Sequence, residues 1–298
     1  METMIRDAAI SFPFLGDFVI NPPASFTLFG REFYFYGLIT AIAVLSAVTF
    51  AAKRAPRFGI ESDQLYDLFL WIIPIGIIGC RVYFVACSWD YYRHHLDEII
   101  KIWNGGIAMY GGIIFGSLTA LVWARIKKIP AGAVFDIIGC SMPLGASIGR
   151  WANFINREAF GYETDFFMRM GLTKPSGETI FVHPTFLYES TWSFIGFIFL
   201  FFWINRGKRR YDGQAFIIYI GWYGAARALI EGFRTDSLYL FGSGIRASQL
   251  VGILSVAAAV ILLLINSKRT HKPMYVETVK SKESEASLDD EESNKYNK

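Results

Sequence analysis

Five polar side chains fall within nine positions of the segment GRWANFINREAFG, residues 149–161, which follows a stretch typical of a membrane-buried helix. They are Arg150, Asn153, Asn156, Arg157 and Glu158. If the segment is helical, the three- and four-residue spacing places Arg150, Asn153 and either Asn156 or Arg157 on one face. Guanidinium and amide groups donate hydrogen bonds to phosphate and ester oxygens, and Glu158 can orient an arginine or accept a proton. The segment therefore predicts a site that binds and cleaves a membrane-held phosphate ester; the alternative is an outer-loop helix cap.

A second polar pattern lies in YGAARALIEGFR, residues 223–234. Tyr223, Arg227, Glu231 and Arg234 recur at i, i+4, i+8 and i+11, which places them along one stripe of a helix. Glu231 can pair with either arginine and lower the cost of burying charge. Arginine suits the bidentate geometry of phosphate better than lysine. The stripe predicts a phosphate site, and the alternative is a structural ion-pair ladder at a membrane surface.

The elements that must position these residues are membrane-spanning helices. The chain is 53% hydrophobic and 18% charged, and several apolar windows reach the ~20 residues needed to cross a bilayer. This composition predicts an all-α polytopic membrane protein. We count seven spans, at roughly 33–52, 65–87, 105–124, 131–148, 186–204, 214–230 and 248–265.

Basic residues concentrate in alternate loops, which predicts the orientation of the chain. They are Lys53, Arg54, Arg57, Arg125, Lys127, Lys128, Arg206, Lys208, Arg209, Arg210, Lys268, Arg269 and Lys272. The positive-inside rule places these loops in the cytoplasm and the N-terminus outside. We expect an external segment 1–32, a seven-helix catalytic domain 33–265 with an external part at about 149–183, and a charged cytoplasmic tail 266–298. The tail lacks apolar periodicity from about Glu277, which predicts disorder.

This topology brings polar side chains from six spans to one depth, the outer half of the bilayer. They are Tyr36, Arg81, Tyr110, Arg150, Tyr188, Glu189 and Arg227. An arginine at the bilayer centre costs ~2.5–3.5 kcal/mol on insertion scales. Snorkelling can explain any single arginine. For the set we expect a shared cavity that opens to the outer half of the bilayer.

Other classes of function are disfavoured. The formal net charge of +3 is small and no basic stripe is interleaved with aromatics, so we expect no nucleic-acid partner. We expect neither a metal nor a cofactor, because no His, Cys or carboxylate cluster has ligand spacing and no glycine-rich phosphate loop follows a strand. Cys80, Cys87 and Cys140 fall in apolar windows and are expected to pack as small hydrophobes.

The segment GRWANFINREAFG resembles, across all its positions, the signature of the bacterial prolipoprotein diacylglyceryl transferases. The resemblance extends over nearly the whole chain, through FYGL, RVYF, NGGIAMYGG, HPTFLYE and YGAARALIEGFR. It implies transfer of the diacylglyceryl group of phosphatidylglycerol to the lipobox cysteine thiol of a prolipoprotein. A thioether forms, glycerol phosphate leaves, and the protein resides in the bacterial cytoplasmic membrane. Family positions map onto Tyr36, Arg150, Asn153, Glu158, Gly161, Tyr223, Arg227, Glu231 and Arg234.

We assign the reaction to a limited set of residues. The catalytic assignments are Arg150, Arg227, Glu158, Glu231 and Tyr110. Phosphatidylglycerol binding is assigned to Arg150, Asn153, Asn156, Arg81, Tyr36, Tyr223, Arg234, Gly161, His183, Tyr188 and Glu189. In this hypothesis the two catalytic arginines hold the phosphate, and the two catalytic glutamates orient the guanidiniums.

One position departs from the family pattern. Some members carry a histidine, proposed as the base, where this chain has Tyr110. Free tyrosine titrates near ~10 and is a poor base at neutral pH. Either a carboxylate or His183 takes the thiol proton, or the thiol ionises in the cationic pocket without a dedicated base. We favour the last, with Tyr110 donating a hydrogen bond that orients the lipid.

Two other functions remain as alternatives. A transporter or flippase for an anionic lipid would also bury arginines around a cavity, although such proteins usually show internal repeats and midplane sites. An intramembrane serine protease could use Ser147 in GASIG, residues 145–149, which matches the G-x-S-x-G pattern. That motif needs a strand–turn–helix context, however, and close packing of small residues explains it better here.

Overall fold

The computed structural model describes residues 5, 7–16, 18–235, 239 and 244–296. The chain divides into two compact units. The first comprises Met1–Thr49, Ile138–Arg209 and Gln214–Thr270, and the second comprises Phe50–Ile137, Arg210–Gly213 and His271–Lys298.

Most of the described chain is helical. The helices are α1 (Phe35–Arg54), α2 (Ser62–Cys87), α3 (Trp89–Tyr92), α4 (Met109–Ile126), α5 (Ala131–Asn156), α6 (Thr185–Asn205), α7 (Gln214–Ile230), α8 (Ala247–Ser267) and α9 (Tyr275–Tyr296). In the described part of the chain, six helices are long and apolar enough to cross a membrane: α1, α2, α4, α5, α6 and α8. The predicted all-α polytopic membrane fold is confirmed.

The sixth predicted span forms α7, with the predicted boundaries. Its 17 residues extend about 26 Å at 1.5 Å per residue, less than the ~30 Å hydrocarbon core of a bilayer. A 3₁₀ turn, Glu231–Phe233, follows it directly and lengthens the element. The count of seven spans therefore stays a prediction.

Close backbone contacts join neighbouring helices within each unit. In the first unit, a Cβ on Gly224 of α7 would lie 2.7 Å from the carbonyl oxygen of Gly252 of α8. In the second, a Cβ on Gly111 of α4 would overlap the carbonyl oxygen of Gly79 of α2. No larger residue fits at these contacts, and such approaches let helices associate by van der Waals packing inside a bilayer.

Short strands join two segments that are far apart in the sequence. They are β1 (Ala9–Ser11), β2 (Val19–Ile20), β3 (Ser25–Leu28), β4 (Arg31–Tyr34), β5 (Met170–Thr173) and β6 (Thr179–Val182). Strands β2, β1, β5 and β6 form one sheet in that order, and all neighbours are antiparallel. Strands β3 and β4 form a separate hairpin that leads into α1. The sequence did not predict this sheet.

A small apolar core lies against the four-stranded sheet. Ile10 and Leu172 are fully buried and are register partners, and the rings of Phe154 and Phe186 pack at a tilt with their centroids 4.8 Å apart. This core connects the sheet to the end of α5 and the start of α6. Those two helix ends carry the polar residues of the first sequence motif and of HPTFLYE.

Two predicted boundaries differ from the structure. The fourth span continues as a helix to Asn156 rather than ending at Ile148, so Arg150 and Asn153 lie inside α5. The tail is predicted to be disordered from about Glu277, whereas the structure has α9 over Tyr275–Tyr296. Gly59 lies against Val276 at the start of this helix, since a Cβ on Gly59 would be 2.9 Å from Val276 Cα.

Candidate active site

The buried carboxylate of Glu189 joins three arginines from different elements. Its Oε2 atom lies 2.5 Å from Nη2 of Arg150. Its Oε1 atom lies 2.7 Å from Nη1 of Arg234 and 3.7 Å from Nη1 of Arg227. The sequence placed Glu189 among the lipid-binding residues, whereas the structure makes it the centre of the arginine cluster.

Glu231 forms the second carboxylate of the cluster. Its Oε2 atom lies 2.5 Å from Nη2 of Arg227, one turn earlier, as the four-residue spacing predicts. Glu231 is 2% exposed and stands at the first position of the 3₁₀ turn that follows α7. Arg227 is thus held between two buried carboxylates on different helices. Tyr223 lies on the same helix with 39% of its surface exposed.

The cluster carries an excess of positive charge. Its described members are Arg150, Arg227, Arg234, Arg246, Glu189 and Glu231. The guanidiniums of Arg150, Arg227 and Arg234 contact the two carboxylates, and that of Arg246 binds the backbone carbonyl of Glu231. Four arginines and two glutamates leave a formal excess of two positive charges. An anionic group near the cluster is therefore favoured, and the partial burial of the arginines weakens screening by water and salt.

Arg150 retains hydrogen-bonding capacity. A guanidinium has five N–H donors, and the one contact described for Arg150 is the ion pair with Glu189. Its side chain is 23% exposed, compared with 15% for Arg227 and 11% for Arg234. Arg150 can therefore bind an anion without losing its carboxylate partner.

Arg157 has a different environment, although it stands in the same motif. Its Nε atom donates to the carbonyl oxygen of Ala8, and Nη1 to that of Ile155. Its Nη2 atom donates to Oδ1 of Asn21 and to the carbonyl oxygen of Pro22. Three of these hydrogen bonds therefore tie the N-terminal segment to the end of α5, and the fourth stays within α5. Arg157 is a structural residue.

The backbone conformation at the end of α5 explains why Arg150 and Arg157 lie in different environments. The amide of Glu158 bonds the carbonyl of Asn153, and that of Arg157 bonds the carbonyl of Phe154. This is a Schellman motif with Arg157 at the left-handed position, φ 50°. The chain reverses there, and Arg157 leaves the helix face that presents Arg150.

Glu158 holds amides rather than an arginine. Its Oε1 accepts a hydrogen bond from Nδ2 of Asn153 at 2.8 Å, and Oε2 accepts one from Nδ2 of Asn156 at 3.4 Å. We predicted that Glu158 orients a catalytic guanidinium, but within the described residues its hydrogen-bond partners are these amides. Tyr36 at the start of α1 is within electrostatic range of both Glu158 and Arg150.

Gly161 and His183 pack where the signature meets the start of α6. The amide of Gly161 donates to the carbonyl of His183 at 2.9 Å. A Cβ on Gly161 would lie 2.6 Å from His183 Cβ, so only glycine fits. Nδ1 of His183 lies 3.2 Å from the hydroxyl of Tyr188. Burial lowers the pKa of His183 below its usual 6.5, so the imidazole is neutral at pH 7.

Arg81 and Tyr110 belong to the second unit. Arg81 donates to the carbonyl oxygens of Ile99, Gly105, Gly106 and Glu98 at 2.6–2.9 Å. Four donors thus hold the loop before α4, which favours a structural role over the predicted phosphate contact. Tyr110 lies in the first turn of α4, is 41% exposed, and packs near Tyr83 with ring centroids 6.3 Å apart.

The structure also identifies a residue that the sequence motifs did not. Nη1 of Arg246 donates to the carbonyl oxygen of Glu231 at 2.5 Å, and Nη2 to the hydroxyl of Tyr162 at 3.2 Å. A lone arginine before an apolar span is typical of an interface anchor. Its position in the sequence therefore does not predict this contact.

The discounted motifs have structural explanations. Ser147 is buried, and its hydroxyl donates to the carbonyl oxygen of Leu144 within α5, which does not form a nucleophile elbow.

Among the described residues, no group of three or more His, Cys, Asp or Glu side chains could hold a metal ion.

Comparison with known proteins identifies close relatives. Residues 23–265 match the sequence model of the family described as prolipoprotein diacylglyceryl transferase. A Pediococcus pentosaceus protein is 38% identical over 264 residues, covering 86% of this chain and 94% of the relative. A Listeria welshimeri protein is 41% identical over 249 residues, covering 81% and 88%. A Streptococcus pyogenes protein is 39% identical over 251 residues, covering 82% and 95%. All three relatives are named phosphatidylglycerol–prolipoprotein diacylglyceryl transferase.

Proposed function

The chain belongs to the prolipoprotein diacylglyceryl transferase family, and from this we propose that it transfers diacylglyceryl from phosphatidylglycerol to a prolipoprotein cysteine. The thiolate attacks the glyceryl carbon next to the phosphate ester. A carbon–sulfur bond forms while the carbon–oxygen bond to the phosphate breaks, and glycerol phosphate leaves. This is the first step of lipoprotein maturation.

The movement of charge explains why arginines suit this reaction. A thiolate and a phosphodiester each carry one negative charge before the attack. As the carbon–oxygen bond breaks, both charges collect on the departing glycerol phosphate. A fixed cluster with two excess positive charges stabilises the transition state more than the ground state, which is the requirement for catalysis. The arrangement of Arg150, Arg227 and Arg234 around Glu189 is the single observation that carries the proposal.

The proposed roles follow from the contacts of each residue. Arg150 and Arg227 bind the phosphate and neutralise the charge on the leaving group. Glu189 and Glu231 hold these guanidiniums in place. Glu158 orients the amides of Asn153 and Asn156, whose remaining N–H donors face the ester oxygens. Most of the rate enhancement then comes from positioning and electrostatic stabilisation.

The thiol proton needs no dedicated protein base in this proposal. Opposite charge nearby lowers the pKa of a thiol below its usual ~8.5, and the arginine cluster supplies that charge. Tyr110 donates a hydrogen bond that orients the lipid. Arg234, Tyr36, Tyr223 and Tyr188 line the lipid site.

The cellular setting is proposed from the same family and from the loop charges. The protein resides in the bacterial cytoplasmic membrane as a multi-pass protein, with the N-terminus outside and the C-terminus inside. Its protein substrate is a translocated prolipoprotein whose signal peptide ends at a lipobox cysteine. Residues 162–182, which include β5 and β6, lie on the external side, where such a peptide arrives.

A direct transfer assay tests the proposal. The detergent-purified protein is incubated with phosphatidylglycerol and a lipobox peptide, and the mass of the peptide is measured by mass spectrometry. We expect a mass gain of one diacylglyceryl unit that is lost when the peptide cysteine is replaced by serine. Folded, lipid-bound protein that gives no mass gain would refute the transferase and leave the anionic-lipid flippase, which the names of the relatives do not favour.

A further inference from the structure

The external end of α7 receives hydrogen bonds from two side chains at the start of α8. The last carbonyls of a helix lack intrahelical partners and need capping groups. Here Nε2 of Gln249 donates to the carbonyl of Ala228 at 3.0 Å. Nη1 of Arg246 donates to the carbonyl of Glu231 at 2.5 Å, and the amide of Arg234 donates to the same oxygen. Two side chains, from the N-cap residue and the first turn of α8, therefore cap the last turn of α7 and the 3₁₀ turn that follows it.

Both ends of the 3₁₀ turn that carries Glu231 are fixed. Arg246 holds the carbonyl of Glu231 at the start of the turn. The amide of Tyr162 donates to the carbonyl of Phe233 at its end, at 2.8 Å. The guanidinium of Arg246 also binds the hydroxyl of Tyr162 and lies over its ring, 5.7 Å from the centroid. Arg246 and Tyr162 thus form one clamp on this turn.

The clamp acts on the pair that binds the phosphate. The Glu231 side chain leaves the clamped backbone and holds Arg227 at 2.5 Å. The backbone of Arg227 is also confined from α8, because a Cβ on Gly252 would lie 3.0 Å from Arg227 Cβ. A shift of the turn would therefore move both the carboxylate and the guanidinium.

We propose that Arg246 is a positioning residue for diacylglyceryl transfer. It fixes the position of the Arg227–Glu231 ion pair, because it caps the Glu231 carbonyl from the start of α8. The inference rests on the proposed function. Arg246 does not itself need to touch the phosphate. Its positive charge at the end of α7 also complements the negative end of the helix dipole.

The test compares steady-state kinetics of Arg246→Ala and Arg246→Lys with those of the wild type. Displacement of a catalytic group by about 1 Å costs up to about a hundredfold in rate, so we expect Arg246→Ala to lower kcat at least about tenfold. The KM for the peptide should stay unchanged. Arg246→Lys should recover most of the kcat, because one N–H donor suffices for the Glu231 carbonyl.

A double-mutant cycle separates positioning from direct binding. If Arg246 acts through Arg227, Arg246→Ala should cost little further rate on an Arg227→Lys background, because coupled residues are non-additive. Gln249→Ala, which removes the neighbouring neutral cap, should lower kcat in the same direction without a change of charge. Arg93→Ala, which removes an exposed arginine paired with Asp90 at 3.6 Å, is the control for loss of charge alone.

Two results would overturn the inference. One is an unchanged kcat for folded Arg246→Ala, including the case in which only its melting temperature falls. The other is full additivity with Arg227→Lys. Either result is distinct from failure of the proposed function, because in that case the wild type itself would give no transfer.

Discussion

Nη2 of Arg150 in α5 lies 2.5 Å from Oε2 of Glu189 in α6, and this ion pair connects the segment GRWANFINREAFG to HPTFLYE. Glu189 also binds Arg234 and lies near Arg227, so one buried carboxylate joins α5, α6 and the end of α7. Because Arg150 and Arg234 share this one carboxylate, Glu189 cannot neutralise both of them.

Replacing Arg150 or Arg227 with alanine should abolish transfer while the protein stays folded. Loss of one preorganised donor to developing negative charge costs about 10²–10³ in kcat, and here a full charge is lost as well. Turnover by mass spectrometry and melting temperature in detergent measure the two effects. Normal turnover by either variant would contradict the assignment.

The substitution Glu189→Gln should impair both stability and activity. The amide has a similar shape but removes the negative charge between three arginines. Removal of one partner of a buried ion pair costs about 3–5 kcal/mol, so we expect a lower melting temperature and, from loosened guanidiniums, a lower kcat. A variant with both values of the wild type would show that Glu189 does not organise the cluster.

The substitution Arg157→Ala provides the contrast within the same motif. It removes four hydrogen bonds to the N-terminal segment and to Ile155. We expect a loss of about 3 kcal/mol, because buried acceptors lose their charged donor. Limited proteolysis should then cleave preferentially before α1.

Turnover per folded molecule of Arg157→Ala should fall by less than about tenfold, far less than for Arg150→Ala. Equal losses of turnover in the two variants would argue that Arg157 acts in the reaction.

The burial of His183 predicts a pH dependence of stability. Its pKa is lower in the folded protein than the usual 6.5, so the unfolded chain binds a proton first. Stability from this group is complete above about pH 6.5 and is lost as the pH falls through the window below that value. Melting temperatures between about pH 5 and 7 should show this slope, and His183→Gln should reduce it. An unchanged slope in the variant would assign the dependence to other groups.

The substitution Ser147→Ala should leave turnover unchanged. The hydroxyl is buried and bonded to the carbonyl of Leu144 in its own helix, so it has no access to a substrate. The transfer assay measures this directly. Loss of turnover with a normal melting temperature would revive the serine-dependent alternative.

The sequence predicted those features that depend on local periodicity. The boundaries of α7 follow from the apolar window 214–230, the pairing of Arg227 with Glu231 follows from helical spacing, and the structure has both. The convergence of Arg150, Glu189 and Arg227 followed from placing the helix ends at one depth. In each case the relevant interactions lie within one helix or between helix ends at the same predicted depth.

Other features depend on long-range or terminal geometry that spacing does not encode. Strands of two to four residues are too short for a recognisable alternation, so the sheet was missed. Arg157 shared the spacing of Arg150, but the left-handed turn at the end of α5 redirects it. Arg81 was assigned to phosphate binding, whereas its partners are backbone carbonyl oxygens. Every residue has such a carbonyl, so no pattern of side-chain types in the sequence predicts this contact.

The pairing of β1 with β5 has a consequence for biosynthesis. Ala9 is the register partner of Thr173, so the first strand leaves the ribosome long before β5 exists. At about 5–20 residues per second, the delay is roughly ten to thirty seconds. During that interval the edge of β1 that faces β5 has no partner strand, and α1 to α5 must be synthesised before the sheet can close. Completion of this sheet is therefore a late event in the maturation of the nascent chain.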